Sequence, residues 1–150
     1  NVVGSGFEDI YDASPYNLFP RVFSMIARGE APRINGTDYD THDGTCVRDY
    51  VHVTDLARAH VSAAKQLAAG IALAPVYNLG SGAGTSVREI VDAIVEATGT
   101  DLQPVEGPRR PGDPARIVAT GELAADHIEW KHSHSVREMV ESAWAAHPGA

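Results

Sequence analysis

Three groups of residues in this sequence could carry chemistry. The first is a set of arginines with acids beside them. Arg48 stands next to Asp49 in the alternating run Val47-Arg48-Asp49-Tyr50-Val51-His52-Val53. Arg109 and Arg110 lie in Pro108-Arg109-Arg110-Pro111-Gly112-Asp113-Pro114. Prolines on both sides of an arginine pair reduce the entropy lost when a ligand is gripped. Guanidinium forks match phosphate oxygens, and a diphosphate suits such forks. Asp113 would hold an arginine in place or accept hydroxyls from a ribose or a sugar. The same residues would equally make an ordinary surface ion pair of little energetic weight. Taken alone, the residues leave both readings open.

The second group is the glycine loop Gly80-Ser81-Gly82-Ala83-Gly84. A dinucleotide loop places Gly-x-Gly-x-x-Gly between a strand and a helix. Here the third glycine would fall at position 85, which is Thr85, and the preceding run carries the polar Asn78. The acid that should follow about 20 positions on falls near Asp101 or Glu106, with no clear strand end to present it. The loop therefore reads as a tight turn into a well-capped helix. The third group is Cys46 and the pair His132-x-His134. Cys46 has no base near it in sequence to make it a nucleophile. The histidines lack the Cys pair or His-Glu-x-x-His that a zinc site would add. Surface or cap histidines and an inert cysteine are expected, and no metal.

These residues need elements to hold them. Residues 1–13 read as loop. Ser14-Pro15 starts a helix carrying Leu18, Val22, Met25 and Ile26, with Gly29 as its stop and Pro20 in its first turns. Ala31 to Ile34 reads as a short strand, and Asn35 to Thr45 as a hairpin or long turn. Val47 to Val53 reads as one strand. Thr54 and Asp55 then cap a helix with Leu56, Ala59, Ala63 and Leu67 on one face, closed by Gly70. Val76 to Leu79 reads as a strand entering the glycine loop. Ser86 and Glu89 form a capping box before the helical stripe Val87, Ile90, Val91, Ile94 and Val95, which ends at Gly99. A strand is expected near Leu102 to Val105 and a short helix over 121–126. Ser135 and Glu138 form a second capping box before Val136, Met139, Val140 and Trp144. Strands alternate with helices, so the class is α/β, with few short strands and several helices.

The 150 residues are enough for one domain, and 43% hydrophobic with 21% charged excludes wholesale disorder. A net charge of −8 argues against a general nucleic-acid partner. No apolar run approaches the roughly 20 residues that cross a bilayer. A single cysteine permits no internal disulfide and fits a reducing, cytoplasmic setting. The chain begins at Asn1 without Met. Either a segment was removed or the chain is a piece of a longer protein.

The run Asp43-Gly44-Thr45-Cys46-Val47-Arg48-Asp49-Tyr50-Val51-His52-Val53-Thr54-Asp55-Leu56-Ala57 closely resembles a stretch of the UDP-glucose 4-epimerases, in the extended short-chain dehydrogenase/reductase superfamily. Further segments resemble that family in the same order: Asn1-Val2-Val3-Gly4, Pro15-Tyr16-Asn17-Leu18, Val76-Tyr77-Asn78-Leu79-Gly80, Arg109-Arg110-Pro111-Gly112-Asp113 and Trp130. The resemblance spans nearly the whole chain.

It implies a two-part enzyme, with an N-terminal Rossmann domain that holds NAD and a C-terminal part that binds the UDP-hexose. Residues 1–150 correspond to the second part alone. The family's catalytic Tyr, Lys and Ser/Thr are then expected upstream of Asn1, and no Tyr here has Lys four residues later. In the family, hydride leaves sugar C4 for NAD, and the 4-keto sugar rotates and regains it on the other face. By the same resemblance Arg48 and Arg110 clamp the diphosphate, and Asp113 meets a ribose or sugar hydroxyl. Asn17 and Leu18 flank the nucleotide, Asn1 points at the diphosphate or sugar, and the backbone around Ile34 and Asn35 borders the uracil. The chain alone is expected to be inactive, and the complete protein to dimerise through its N-terminal part. A dehydratase or other nucleotide-sugar enzyme of the superfamily, or a non-catalytic binding fragment, are the alternatives.

Three positions depart from the family pattern. Asn35 stands where some members have an aromatic beside the base. Tyr16 replaces an Asn. Ile117 stands where some members carry a Tyr that crowds the sugar, which implies room for UDP-N-acetylhexosamines.

Overall fold

The computed structural model describes residues 1–7 and 9–150. The longest apolar stripe of the sequence builds the centre of the fold. It lies on helix α3 (Val87–Thr98), where Ile90, Val91 and Ile94 are fully buried. Side chains of this size contribute roughly 1.5–3 kcal/mol each when fully buried. The stripe packs on helix α1 (Leu18–Ala27) through Phe19, Val22 and Phe23, and on helix α5 (Val136–Ala145) through Met139 and Val140. Both expected capping boxes are present. Ser86 Oγ accepts from the Glu89 amide at 3.0 Å, while the Ser86 amide donates to the Glu89 carboxylate at 2.7 Å. Ser135 and Glu138 repeat the arrangement at the start of α5.

The strands are shorter than the sequence suggests. They are β1 (Val2–Val3), β2 (Arg33–Asn35), β3 (Val47–Arg48), β4 (Val51–His52), β5 (Thr85–Ser86), β6 (Val105–Gly107) and β7 (Arg116–Ile117). β1 pairs with β4 and β2 with β6, both parallel. β3 lies between β5, antiparallel, and β7, parallel. Several expectations need correction here. The start of the chain is not all loop, because Val2 and Val3 pair with Val51 and His52. The single strand expected over 47–53 is two strands in different sheets, since Asp49 turns its carboxylate away into neighbouring loops. Of the hairpin or long turn expected over Asn35 to Thr45, the long turn is what forms, because β2 finds its partner in β6. Val76 to Leu79 forms no strand, and Val76 is 72% exposed there.

A second core joins helix α2 (Val53–Ala68) to helix α4 (Glu122–Ile128) through Ala59, Ala124, Ile128 and Trp130. His52, not Thr54 or Asp55, caps α2, with its ring nitrogen accepting from the Thr54 amide at 3.1 Å. Leu67, expected on the packed face, is exposed. Asp55 is buried within the first turn, where its carboxylate accepts from Ser133 Oγ at 2.5 Å and from the Ser133 and His134 amides at 3.0 and 3.2 Å. No helix among the described residues is long and apolar enough to cross a membrane.

Candidate functional site

Arg48 and Asp49 are adjacent, and successive residues of an extended chain point to opposite sides. On one side, Asp49 is buried and ties three segments together. One carboxylate oxygen accepts from the Ser81 amide at 2.9 Å and Ser81 Oγ at 2.7 Å, and the other accepts from the Ala119 amide at 3.0 Å. A Cβ on Gly80 would collide with that carboxylate and with the Ala119 carbonyl, so this position requires glycine. The donors of the glycine loop are spent within the protein: Ser81 gives its amide and hydroxyl to Asp49, the Gly82 amide donates to the Ala119 carbonyl, and the Ala83 and Gly84 amides donate to Ser81 Oγ. The loop therefore does not fit a dinucleotide phosphate, in line with its reading as a turn.

On the other side, Arg48 is mostly covered and its guanidinium is held at two points. Nη1 donates to the Val47 carbonyl at 2.8 Å, and Nη2 lies 3.3 Å from the Asp113 carboxylate. The two arginines of the proline loop separate in role. Arg109 donates to Asp38, through both its carboxylate and its carbonyl, and its guanidinium lies 4.2 Å over the Tyr39 ring. Arg110 is exposed and has no carboxylate partner among the described residues. One arginine thus fixes the loop, and the next is left available.

A cleft of about 170 Å³ opens over these groups. It gathers seven of the eight sequence-predicted residues: Asn1, Asn17, Leu18, Asn35, Arg48, Arg110 and Asp113. Ile117 is not among its walls. It sits on β7 in register with Arg48 and is 55% exposed. The cleft also holds Arg21 and Arg33, which sequence reasoning missed. Both had a signal. Arg21 lies one helical turn after Asn17, and Arg33 shares a strand face with Asn35. Four arginines, Arg21, Arg33, Arg48 and Arg110, face one carboxylate, Asp113, in a chain whose net charge is −8.

The helix α1 opens onto the same cleft at Asn17 and Leu18. Asn17 does not cap it, because its amide donates to Asp12 at 2.7 Å instead. No acidic residue occupies the first turn. The early N–H groups, with the positive end of the helix dipole, are thus left for an anion. Tyr50 lines the cleft too, but burial pushes its hydroxyl up to about 12, so it is a hydrogen-bond donor and not a base. Cys46 is buried against the cleft wall. The histidines of the His132-x-His134 pair part company: His132 bonds to the Tyr50 carbonyl at 3.2 Å, and His134 lies 2.9 Å from the Asp55 carboxylate. Among the described residues, no three His, Cys, Asp or Glu come together as metal ligands would.

The arrangement can grip a doubly charged phosphate group and hold a hydroxyl-bearing neighbour. The model of the NAD dependent epimerase/dehydratase family matches residues 1–80. UDP-glucose 4-epimerase 4 of Oryza sativa subsp. japonica is 42% identical over 132 residues, covering 87% of this chain and 36% of the relative. A crystal structure of UDP-glucose 4-epimerase superposes with a TM-score of 0.88 at 40% identity, covering 98% of this chain and 46% of that one. The UDP-glucose-4-epimerase of Stenotrophomonas maltophila, solved with NAD and formylated UDP-arabinopyranose, gives 0.84 at 36% identity, over 97% of this chain and 45% of that one. The chain thus spans between about a third and a half of the length of these relatives, and it corresponds to their C-terminal part.

Proposed function

Because the chain belongs to the NAD dependent epimerase/dehydratase family, we propose that it is the UDP-sugar-anchoring half of a UDP-glucose 4-epimerase. The observation that carries this reading is the convergence of Arg48, Arg110 and Asp113 with the open start of α1 in one cleft. A diphosphate placed there receives Arg48 as a rigid fork and Arg110 as a mobile one. The early amides of α1 meet the same charge, except at Pro20, which has none. Asp113 uses one oxygen on Arg48 and keeps the other for a ribose hydroxyl. Asn1 and Asn17 add amide donors at the margin of the cleft.

The reaction inverts sugar C4, so the hexose must present both faces in turn while the nucleotide stays bound. A tight diphosphate clamp and a loosely walled sugar pocket serve that requirement. NAD, bound by a domain outside this chain, would supply the hydride acceptor and donor for that inversion. No residue of the cleft here moves the proton: Tyr50 stays a phenol at neutral pH, and the general base belongs to the same absent domain. The complete protein is a homodimer built through that domain and works in the reducing cytoplasm, where a lone buried thiol is stable. Ile117 at the edge of the site leaves room for an N-acetylated hexose.

The test is conversion of UDP-glucose to UDP-galactose by the complete protein. The Arg48→Ala, Arg110→Ala double variant should lose most of that rate, and the isolated chain should show none. Full activity in the double variant, or turnover by the isolated chain, would contradict the reading.

A further inference from the structure

His52 ends β4, is buried, and sits where the two cores meet: α2 of the second core starts beside it, and Ser142 on α5 of the first core touches its ring. Its tautomer is fixed by its partners. The Thr54 amide can only donate, and it meets Nδ1 at 3.1 Å, so Nδ1 keeps its lone pair. The proton is therefore on Nε2, which donates to Ser142 Oγ at 2.9 Å. The Ser5 amide donates to the same hydroxyl at 3.3 Å. Gly4 lies against the ring, where any Cβ would collide with Cδ2 and Nε2. One neutral imidazole thus ties together α2, α5 and residues 4–5.

The His134 ring stacks on His52, with centroids 4.0 Å apart and planes 17° apart. His134 Nδ1 lies 2.9 Å from Asp55, an ionised carboxylate that can only accept, so this nitrogen carries a proton. A further proton on His134 Nε2 would face Thr54 Oγ1 at 3.5 Å, which can accept it. A further proton on His52 finds no acceptor. It would have to sit on Nδ1, opposite the Thr54 amide hydrogen, and the cap of α2 would be lost. The charged and titratable groups facing His52 are Asp55 and Arg58 from α2, Glu138 from α5 and His134 from the segment before α5. Burial, then His134 and Arg58, outweigh the two acids and hold the His52 pKa below its ordinary 6.5. We propose that the His52–His134 stack is a proton-operated latch: neutral His52 holds α2, α5 and residues 4–5 together, and a proton on its Nδ1 frees the start of α2 and loosens the joint between the two cores. An open form, with His52 in water, takes that proton more readily than the closed form. The joint is therefore firm above about pH 6.5 and weakens as pH falls past that value. The latch is independent of what the cleft binds.

Amide hydrogen exchange of the chain between about pH 7.5 and about pH 5.5, expressed as protection factors, tests it, in a window above the fall expected from Asp55. Protection of the Thr54 and Ser5 amides should drop about five- to tenfold by about pH 5.5, since linkage to one proton yields at most about tenfold per pH unit. The Ala119 amide, bonded to Asp49, should keep its protection. His52→Asn retains an oxygen that can cap α2 and cannot titrate, so Thr54 protection should then be independent of pH. His134→Gln keeps a donor for Asp55 without the charge and should move the drop to higher pH. Wild-type protection unchanged down to about pH 5.5, an equal drop in folded His52→Asn, or an unmoved drop in His134→Gln would overturn the latch.

Discussion

The Asp49 carboxylate and the Ser81 amide meet at 2.9 Å, and Ser81 Oγ reaches the same oxygen at 2.7 Å. A loop with the glycine spacing of an anion cradle is thereby filled by the protein's own anion. The other Asp49 oxygen holds the Ala119 amide at 3.0 Å, so three distant segments share one buried carboxylate. Arg48, the next residue back, is held towards the cleft from this anchored point. The structural acid and the ligand-facing base are neighbours in sequence and opposite in direction.

Asp49→Ala should destabilise the chain by about 2–3 kcal/mol, because the Ser81 and Ala119 donors are left without their buried acceptor. Urea unfolding measures this. UDP affinity should fall as well, since Arg48 loses its frame. An unchanged unfolding midpoint would show that the carboxylate does not hold these loops.

Arg109 and Arg110 should respond differently to alanine. Arg110→Ala should weaken UDP about 10–100-fold, the range for one lost charge-assisted contact. Arg109→Ala should leave UDP within about threefold, because its charge is already matched by Asp38 and any remaining effect is indirect. Its effect should appear in the thermal midpoint, through loss of the Asp38 and Tyr39 contacts. Titration of both variants with UDP separates the roles, and equal losses would contradict the division.

Much of the fold and of the site was legible in the sequence, and the remainder was not, for identifiable reasons. The α3 stripe and both capping boxes were readable because their interactions span three or four residues. Arg110 and Asp113 stood out by their proline-bounded setting and Arg48 by its place beside an acid in an alternating run, and the family resemblance gave them their roles. Nothing local distinguishes Arg109 from Arg110: the difference is made by Asp38, far away in sequence. Likewise Val47 to Val53 reads as one strand because its alternation is unbroken, and only the long-range bonds of Asp49 to Ser81 and Ala119 divide it. The β1–β4 and β2–β6 pairings are parallel and distant, and local patterns carry no signal for such register.

Acid should unfold the chain partly through Asp55. Burial pushes this carboxyl up, but hydrogen bonds from Ser133 and His134 outweigh that and hold it well below its ordinary 3.8. A depressed folded pKa means that the stability is present above the unfolded value and is lost as pH falls past it towards the folded one. Unfolding free energy should therefore drop from about pH 5 downwards. Asp55→Asn should cost about 3 kcal/mol at neutral pH, as for a broken buried ionic network, and should flatten the acid limb. Urea titrations at several pH values check both, and an acid limb unchanged in Asp55→Asn would contradict them.

Ile117 should govern the sugar and not the nucleotide. Ile117→Tyr should leave UDP affinity within about threefold, since the side chain is not part of the cleft wall and only its strand contacts Arg48. In the complete protein the same change should depress turnover of UDP-N-acetylglucosamine relative to UDP-glucose. Parallel assays with both substrates decide it, and an unaltered ratio would remove Ile117 from specificity.

The central claim is that this chain carries a nucleoside-diphosphate clamp built on Arg48 and Arg110. Calorimetric titration with UDP, in wild type and in the Arg48→Ala, Arg110→Ala double variant, tests it most directly. Wild type should bind UDP with an affinity that falls as salt rises, and the folded double variant should lose at least about 100-fold. Equal affinity in the two proteins, or no binding of UDP to folded wild type, would contradict the claim.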